Sequence, residues 1–333
     1  MTNEINQKAG KVVVAGLVVS PEIDSLWEKL AQQTDLVILN DCTPQILQEA
    51  MQDANILIIR PVLQISKKLI EASNKLRGIV VWGVGYNTID VSTATKHGIP
   101  VITLPVFLGS IAEAVIYFLL AITKKYQHLN TLARTGIRPT LNDRSHALEG
   151  KVLGCIGLGR IGFRVARIAL AFDMKVLIFD PYLEKAEIDG KEYSLVSLDE
   201  VLKQSHFVSL HAPLNLENQH MIDAVALGKM RSDAYLINVA RGGLVDESAL
   251  YQALISGEIA GAALDTFEVE PVSPENPLLS LDNVWATPHY LGATWEGLKQ
   301  MAAAAQDATL KLMNGEHPGY NIVNPEVFED GEE

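Results

Sequence analysis

Short apolar runs separated by amphipathic stretches set the rhythm of this chain. Between residues 12 and 104 the runs are VVVAGLVV, LVIL, ILII, GIVVW and PVITL. Continuous apolar runs mark strands buried on both faces, and the stretches between them carry helical signals. Together they predict a parallel sheet wrapped by helices and complete by about residue 104. In one such stretch Ser20 can cap a helix and Pro21 can take its first position, ahead of IDSLWEKLA.

A long helical pattern, SIAEAVIYFLLAITKKYQHL, covers residues 110–129 and bridges to a second unit. After the polar loop TGIRPTLNDRSHALEG the strand rhythm restarts with KVLGCIG, KVLIFD, HFVSLHAP, AYLINVA, IAGAALD and NVWATPH. This predicts a second doubly wound parallel sheet. Residues 294–313 are again helical by period, with Asn314 and Gly315 as a stop.

Composition narrows the possibilities. A chain of 333 residues with 48% hydrophobic side chains can bury two domain cores without metal or disulfide staples. Its 27 basic against 40 acidic residues leave a net charge of −13, the wrong footprint for a nucleic-acid or anionic-membrane binder, so the expected partner is a small molecule. Cys42 and Cys155 are far apart, and Cys155 lies in an apolar run, so no oxidising compartment is implied. The start, MTNEINQKAG, is too polar for a signal peptide, and the longest uncharged apolar run, residues 114–122, falls short of the ~20 residues that span a bilayer. The expectation is a cytoplasmic protein without a membrane partner.

The glycines of GLGRIG follow a predicted strand and open a predicted helix. Gly157 permits a tight turn, Gly159 lets the backbone approach a pyrophosphate, and Gly162 lets helix and strand pack closely. The free N–H groups near Arg160 and Ile161 meet the anion together with the helix dipole. Asp180 ends the next strand, where it can accept from both ribose hydroxyls and repel a 2′-phosphate, so the reading is NAD rather than NADP.

Three later strands each end in a reactive side chain: Arg241 after YLINVA, Glu270 in LDTFEVEP and His289 in VWATPH. Singly, each has a plain structural reading, as a surface ion pair, a turn acid and a loop histidine. Together, beside a nicotinamide site, they form a carbonyl-reducing set. A histidine gives the proton, a carboxylate favours the charged imidazole, and an arginine grips a carboxylate with two prongs. That set points to a 2-oxo or 2-hydroxy acid. His97, His128, His146, His206, His220 and His317 show no ligand spacing, and no metal is expected.

The segments LEGKVLGCIGLGRIG, AYLINVARGGLVDE, AGAALDTFEVEP and TPHYLGAT make the chain resemble the D-isomer-specific 2-hydroxyacid dehydrogenases, from about residue 54 to the closing VNPEV. This family includes phosphoglycerate, glyoxylate/hydroxypyruvate and D-lactate dehydrogenases. The resemblance implies a Rossmann NAD-binding domain, residues 108–293, inserted into a flavodoxin-like substrate-binding domain made of residues 1–107 and 294–333. It makes Arg241 the substrate anchor, Glu270 the partner of His289, and His289 the acid/base. It places Asp265 on the nicotinamide amide, and His211, Ala212 and Pro213 along the cofactor cleft. Val239, Ala240, Arg241, His289 and Gly292 join the cofactor side, while Arg60 and the backbone of Val84 and Gly85 face the substrate. The helical stretch 110–129 resembles the family's dimer-forming segment, so a homodimer is expected.

Departures from the family pattern are NTID in place of DNID, Trp82 at a position more often small or Tyr, and TLPVFLGSIAE. They leave the substrate open. The chain also ends without the regulatory extension of many phosphoglycerate dehydrogenases, and Arg134, Arg138 and Arg144 read as a solvated loop rather than a phosphate site. Formate dehydrogenases carry glutamine at the position of Glu270, which argues against that branch. Two other readings stay open, a phosphite dehydrogenase-type oxidoreductase and an NADH-sensing scaffold like the C-terminal-binding-protein corepressors.

Overall fold

The computed structural model describes residues 9–17 and 25–331. The cap assigned to Ser20 and Pro21 lies outside them. The chain divides into two compact units, one formed by Met1–Phe107 with Thr294–Glu333 and the other by Leu108–Ala293.

Unit 1 begins with five parallel strands: β1 Lys11–Ala15, β2 Asp35–Leu39, β3 Ile56–Ile59, β4 Gly78–Val81 and β5 Val101–Thr103. Their order across the sheet, β5-β4-β3-β1-β2, reverses direction beside β1, as in doubly wound folds. Alternation along each strand feeds two cores. Val13, Leu57, Ile59 and Val81 face one side, and Val12, Val14, Ile58 and Val80 face the other. Asp90 caps the helix Val91–Lys96 by accepting from the Thr93 N–H at 3.0 Å.

Unit 2 carries β6 Val152–Ile156, β7 Lys175–Phe179, β8 Ala186–Ile188, β9 Lys191–Tyr193, β10 Phe207–Leu210, β11 Tyr235–Asn238, β12 Gly261–Leu264 and β13 Val284–Ala286. The main sheet runs β13-β12-β11-β10-β6-β7, all parallel, and Leu195 adds a parallel bridge to Ile178 beyond β7. The switch point falls between β6 and β10. Cys155 sits there fully buried, its thiol pushed up to about 12 by burial, so it behaves as a small apolar filler.

Unit 1 is completed by the helix Trp295–Met313, capped by Thr294 and stopped at Asn314 and Gly315, and by β14 Asn321–Ile322, which pairs antiparallel with β5. The stretch expected as one helix over 110–129 is two helices, Leu108–Thr123 and Tyr126–Thr135. They are broken at Lys125, which takes a left-handed backbone (φ 49°). Lys124 and Lys125 reach across to the carbonyls of His146 and Asn142, giving the corner partners that continued helix would not provide. A β8–β9 hairpin, absent from the sequence reading, turns on Asp189 and Gly190, both at positive φ as a type I′ turn requires. Among the described residues no helix is long and apolar enough to cross a membrane.

Candidate active site

In unit 2 the chain leaves β6 through Gly157, whose φ of 92° favours glycine. Its N–H donates to the Phe179 carbonyl at 2.8 Å, tying the turn to the end of β7. A Cβ at this position would lie 3.0 Å from the Ala212 nitrogen, so the ends of β6 and β10 meet backbone to backbone. Gly159 then caps the helix Arg160–Ala171 with no side-chain acceptor, leaving the first-turn N–H groups for an external anion. A Cβ on Gly159 would meet nothing within 4 Å, whereas one on Gly162 would run into the Gly157 carbonyl oxygen. Asp180 accepts from the Leu158 N–H at 2.9 Å and the Tyr182 N–H at 3.0 Å, which fixes a carboxylate beside the glycine turn. Open space over Gly159, free helix N–H groups and a fixed carboxylate on the second strand fit a dinucleotide without a 2′-phosphate.

His211 follows β10 and packs against this turn, with both ring nitrogens buried and unpartnered among the described residues. Burial pushes its pKa down to about 4 from the ordinary 6.5, so the ring is neutral at working pH. Between those two values the unfolded chain binds a proton that the native state does not, so stability falls as pH drops through that window. A shift of that size corresponds to roughly 3 kcal/mol. The midpoint of thermal unfolding should fall between pH 7 and pH ~4.5, and His211→Leu should flatten that slope. An equally steep slope in the variant would remove His211 as its source.

Asn238, at the end of β11, brackets the next turn, with its Oδ1 accepting from the Ala240 N–H and its Nδ2 donating to the Arg241 carbonyl. Val239 is buried behind this turn. Arg241 is half-buried and donates to the Ala240 carbonyl at 2.6 Å, and among the described residues no carboxylate forms an ion pair with it. Burial pushes its pKa down, with Glu270 opposing, yet a guanidinium remains charged in proteins. The outcome is a cation with spare donors for an anionic ligand.

Glu270 follows β12 and His289 follows β13, and because β11, β12 and β13 are neighbours their trailing ends lie side by side. The His289 Nδ1 is 2.7 Å from Glu270 Oε2, and the Phe267 N–H donates to Oε1 at 3.1 Å. Partial burial pushes the Glu270 carboxyl up. The bond and charge of His289, the Phe267 N–H and Arg241 pull it down by more, so it stays below the ordinary glutamate value and ionised around neutrality. With Nδ1 engaged, Nε2 of this exposed imidazole has no protein partner among the described residues.

His289 itself has φ 55°, a backbone that costs a β-carbon residue on the order of 1 kcal/mol. Asp265 holds it there. Its Oδ1 accepts from Thr287 Oγ1 at 2.6 Å and from the N–H groups of Tyr290 and Leu291 at 3.0 and 3.2 Å, leaving Oδ2 without a protein partner among the described residues. Gly292 closes the loop, its carbonyl accepting from Ser110 Oγ and its α-carbon lying against Ile111. Pro213 opens a turn pinned by Asn218.

In unit 1, Arg60 follows β3, and Val84 and Gly85 follow β4, so the three sit at the trailing ends of adjacent strands. Trp82 packs at 5.5 Å against the buried ring of Trp27. Arg134, Arg138 and Arg144 are exposed. The sequence reading passed over Asn238 and the three-bond use of Asp265. The one local signal was a polar residue closing an otherwise apolar strand, as Asn238 does in YLIN.

A glycine cradle at a switch point, with an arginine and a bonded histidine–glutamate pair lined along trailing strand ends of the same sheet, fits a dinucleotide-dependent enzyme. The NAD-binding domain of the D-isomer specific 2-hydroxyacid dehydrogenases matches residues 116–290. Among curated relatives, the D-3-phosphoglycerate dehydrogenase of Methanocaldococcus jannaschii is 36% identical over 92% of this chain, which spans 59% of that relative's length. The glyoxylate reductase of Korarchaeum cryptofilum is 36% identical over 90% of this chain and 92% of its own. Among solved structures, the D-lactate dehydrogenase of Aquifex aeolicus, complexed with NAD and lactic acid, superposes with a TM-score of 0.84 at 27% identity, over 96% of this chain and 98% of that one. The chain belongs to the D-isomer specific 2-hydroxyacid dehydrogenase family, and it is an NAD-dependent oxidoreductase acting on CH–OH donors.

Proposed function

We propose that the protein interconverts a small 2-oxo acid and its D-2-hydroxy acid, with His289 as the acid/base. The observation that carries this reading is the 2.7 Å bond from His289 Nδ1 to Glu270 Oε2, beside an Arg241 guanidinium with spare donors. NADH, when bound, would supply the hydride that adds to C2. The charged imidazole donates its Nε2 proton to the carbonyl oxygen as the C=O π pair opens, and His289 is left neutral. In oxidation the same nitrogen takes the hydroxyl proton back. Glu270 holds the ring by its Nδ1 so that Nε2 is presented for the transfer, and Arg241 grips the substrate carboxylate and polarises the adjacent carbonyl. Asp180 and the turn from Gly157 to Gly162 hold the dinucleotide, Asp265 Oδ2 takes the nicotinamide amide, and the backbone of His211, Ala212, Pro213, Val239 and Ala240 lines the cleft. Arg60, Val84 and Gly85 are carried in the same proposal as substrate-contacting residues.

The test is NADH oxidation against glyoxylate, hydroxypyruvate, pyruvate, branched and aromatic 2-oxo acids and phosphohydroxypyruvate. Turnover with a clear preference assigns the substrate. Silence across the panel with NADH still bound rejects the reading in favour of phosphite oxidation or a sensing scaffold.

A homodimer is part of the same proposal. The helix Tyr126–Thr135 buries none of its residues, and Tyr117, Tyr126, Ile137 and Leu141 around it are exposed. Sedimentation at micromolar concentration distinguishes dimer from monomer.

A further inference from the structure

We propose that Glu247 and Glu268 are a positioning pair for the reaction, a reciprocal clamp that sets the Glu270 carboxylate against His289. The inference rests on the acid/base reading above. The Glu247 N–H donates to Glu268 Oε1 at 2.8 Å, and the Glu268 N–H donates to Glu247 Oε1 at 2.6 Å, so each carboxylate satisfies the other residue's backbone. Asn276 Nδ2 donates to the second Glu247 oxygen at 2.7 Å, and His220 Nε2 lies 3.5 Å from Glu268 Oε1. Glu247 stands in the first turn of the helix Glu247–Ile255, capped by Asp246, where the helix dipole offsets the accumulated negative charge.

The clamp joins two turns that bear proposed catalytic groups. On one side is the Arg241 turn. A Cβ on Gly242 would overlap the carbonyl of Phe267 and the nitrogen of Glu268, so this turn lies directly on the 267–268 peptide. On the other side is the Glu270 loop. The Phe267 side chain is buried and fixes where the loop starts, while the Glu247 carboxylate fixes how the following peptide is turned. Glu270 hangs from the Phe267 N–H, and His289 hangs from Glu270. Among the described residues neither Glu247 nor Glu268 bonds to the side chain of His289 or Arg241, so their effect is transmitted through this peptide. The 267–268 peptide is the link between the Phe267 N–H and the Glu270 backbone, so freeing it would let the backbone that carries Glu270 shift against His289, and sub-ångström misplacement of such groups lowers turnover.

The experiment compares Glu268→Ala, Glu268→Gln and His289→Ala in the full chain, reading kcat, KM, the pH profile of kcat, NADH affinity and the unfolding midpoint. Glu268→Ala should lower kcat about tenfold and move the pH profile, with NADH affinity unchanged, while Glu268→Gln, which keeps an acceptor for the Glu247 N–H, should stay within about twofold of the parent. An unaltered kcat and pH profile in Glu268→Ala overturns the clamp. So does a loss in Glu268→Gln as large as in Glu268→Ala, or a loss seen only in the unfolding midpoint. If Glu268→Ala does not fold, Glu247→Ala breaks the same clamp from the other side and is judged by the same outcomes. Full activity in His289→Ala instead removes the acid/base reading on which the clamp depends; an inactive His289→Ala beside an unaffected Glu268→Ala removes the clamp alone.

Discussion

Replacing His289 by alanine is expected to lower kcat by roughly 10²- to 10⁴-fold, the usual range for loss of a general acid or base. NADH affinity should change little, because the glycine turn and Asp180 stand on other strands, at the ends of β6 and β7. Two effects are superposed in this variant, since the position is left-handed and alanine at φ 55° is strained. His289→Asn separates them, because asparagine tolerates that backbone and supplies no titratable proton. Both variants should therefore lose kcat alike, and only alanine should lower the unfolding midpoint. Steady-state rates with the preferred 2-oxo acid check the first point and thermal denaturation the second. A kcat retained in either variant rules out His289 as the proton donor.

Gly162→Ala is expected to damage unit 2 and its cofactor site together. The added carbon has no room, since the atom in its way is the Gly157 carbonyl oxygen, which belongs to the turn itself. Overpacking of this kind costs about 1–3 kcal/mol, which for a unit of this size is a drop of about 2–12 °C in the unfolding midpoint. NADH should bind about tenfold more weakly or worse as the turn shifts. Gly159→Ala is the control with the opposite signature. Its Cβ meets open space and its φ of −68° suits any residue, so the unfolding midpoint should hold while NADH affinity falls. Equal NADH affinity in Gly159→Ala and the parent would mean that the pyrophosphate does not sit over this turn.

The strands of both sheets were legible because a parallel strand covered on both faces must be apolar throughout. ILII coincides with β3 to the residue, and GIVVW runs one residue past the end of β4. The glycine turn was legible because every requirement on it is local. The break at Lys125 was not, since the apolar period carries on through it without Gly or Pro. Asp189 and Gly190 did carry a hairpin signal, but AEI and KEY beside them are too short and too charged to read as strands. In the site, the sequence located Arg241, Glu270 and His289 at strand ends, and the distance from imidazole to carboxylate needed the neighbour order of β11, β12 and β13. The Glu247 and Glu268 bonds were out of reach, because no pattern tells which N–H a carboxylate will meet 21 residues away.

Unit 1 is written in two pieces, and its hydrophobic face is finished only by the second. Met301, Ala305, Ala308 and Leu312 of the late helix pack on Val12, Val14, Ile58 and Val80. Gln306 bonds to the backbone of Leu26 and Leu30, and Asn324 to that of Ile99 and Val101. A ribosome adding about 5–20 residues per second spends roughly 10–40 s on the intervening stretch. Throughout that interval the first sheet waits with that face covered only in part, by Trp27 and Leu30, while the inserted unit already has its whole sequence. Protease protection of stalled nascent chains should therefore appear first in the segment translated second, so that birth order and folding order are reversed.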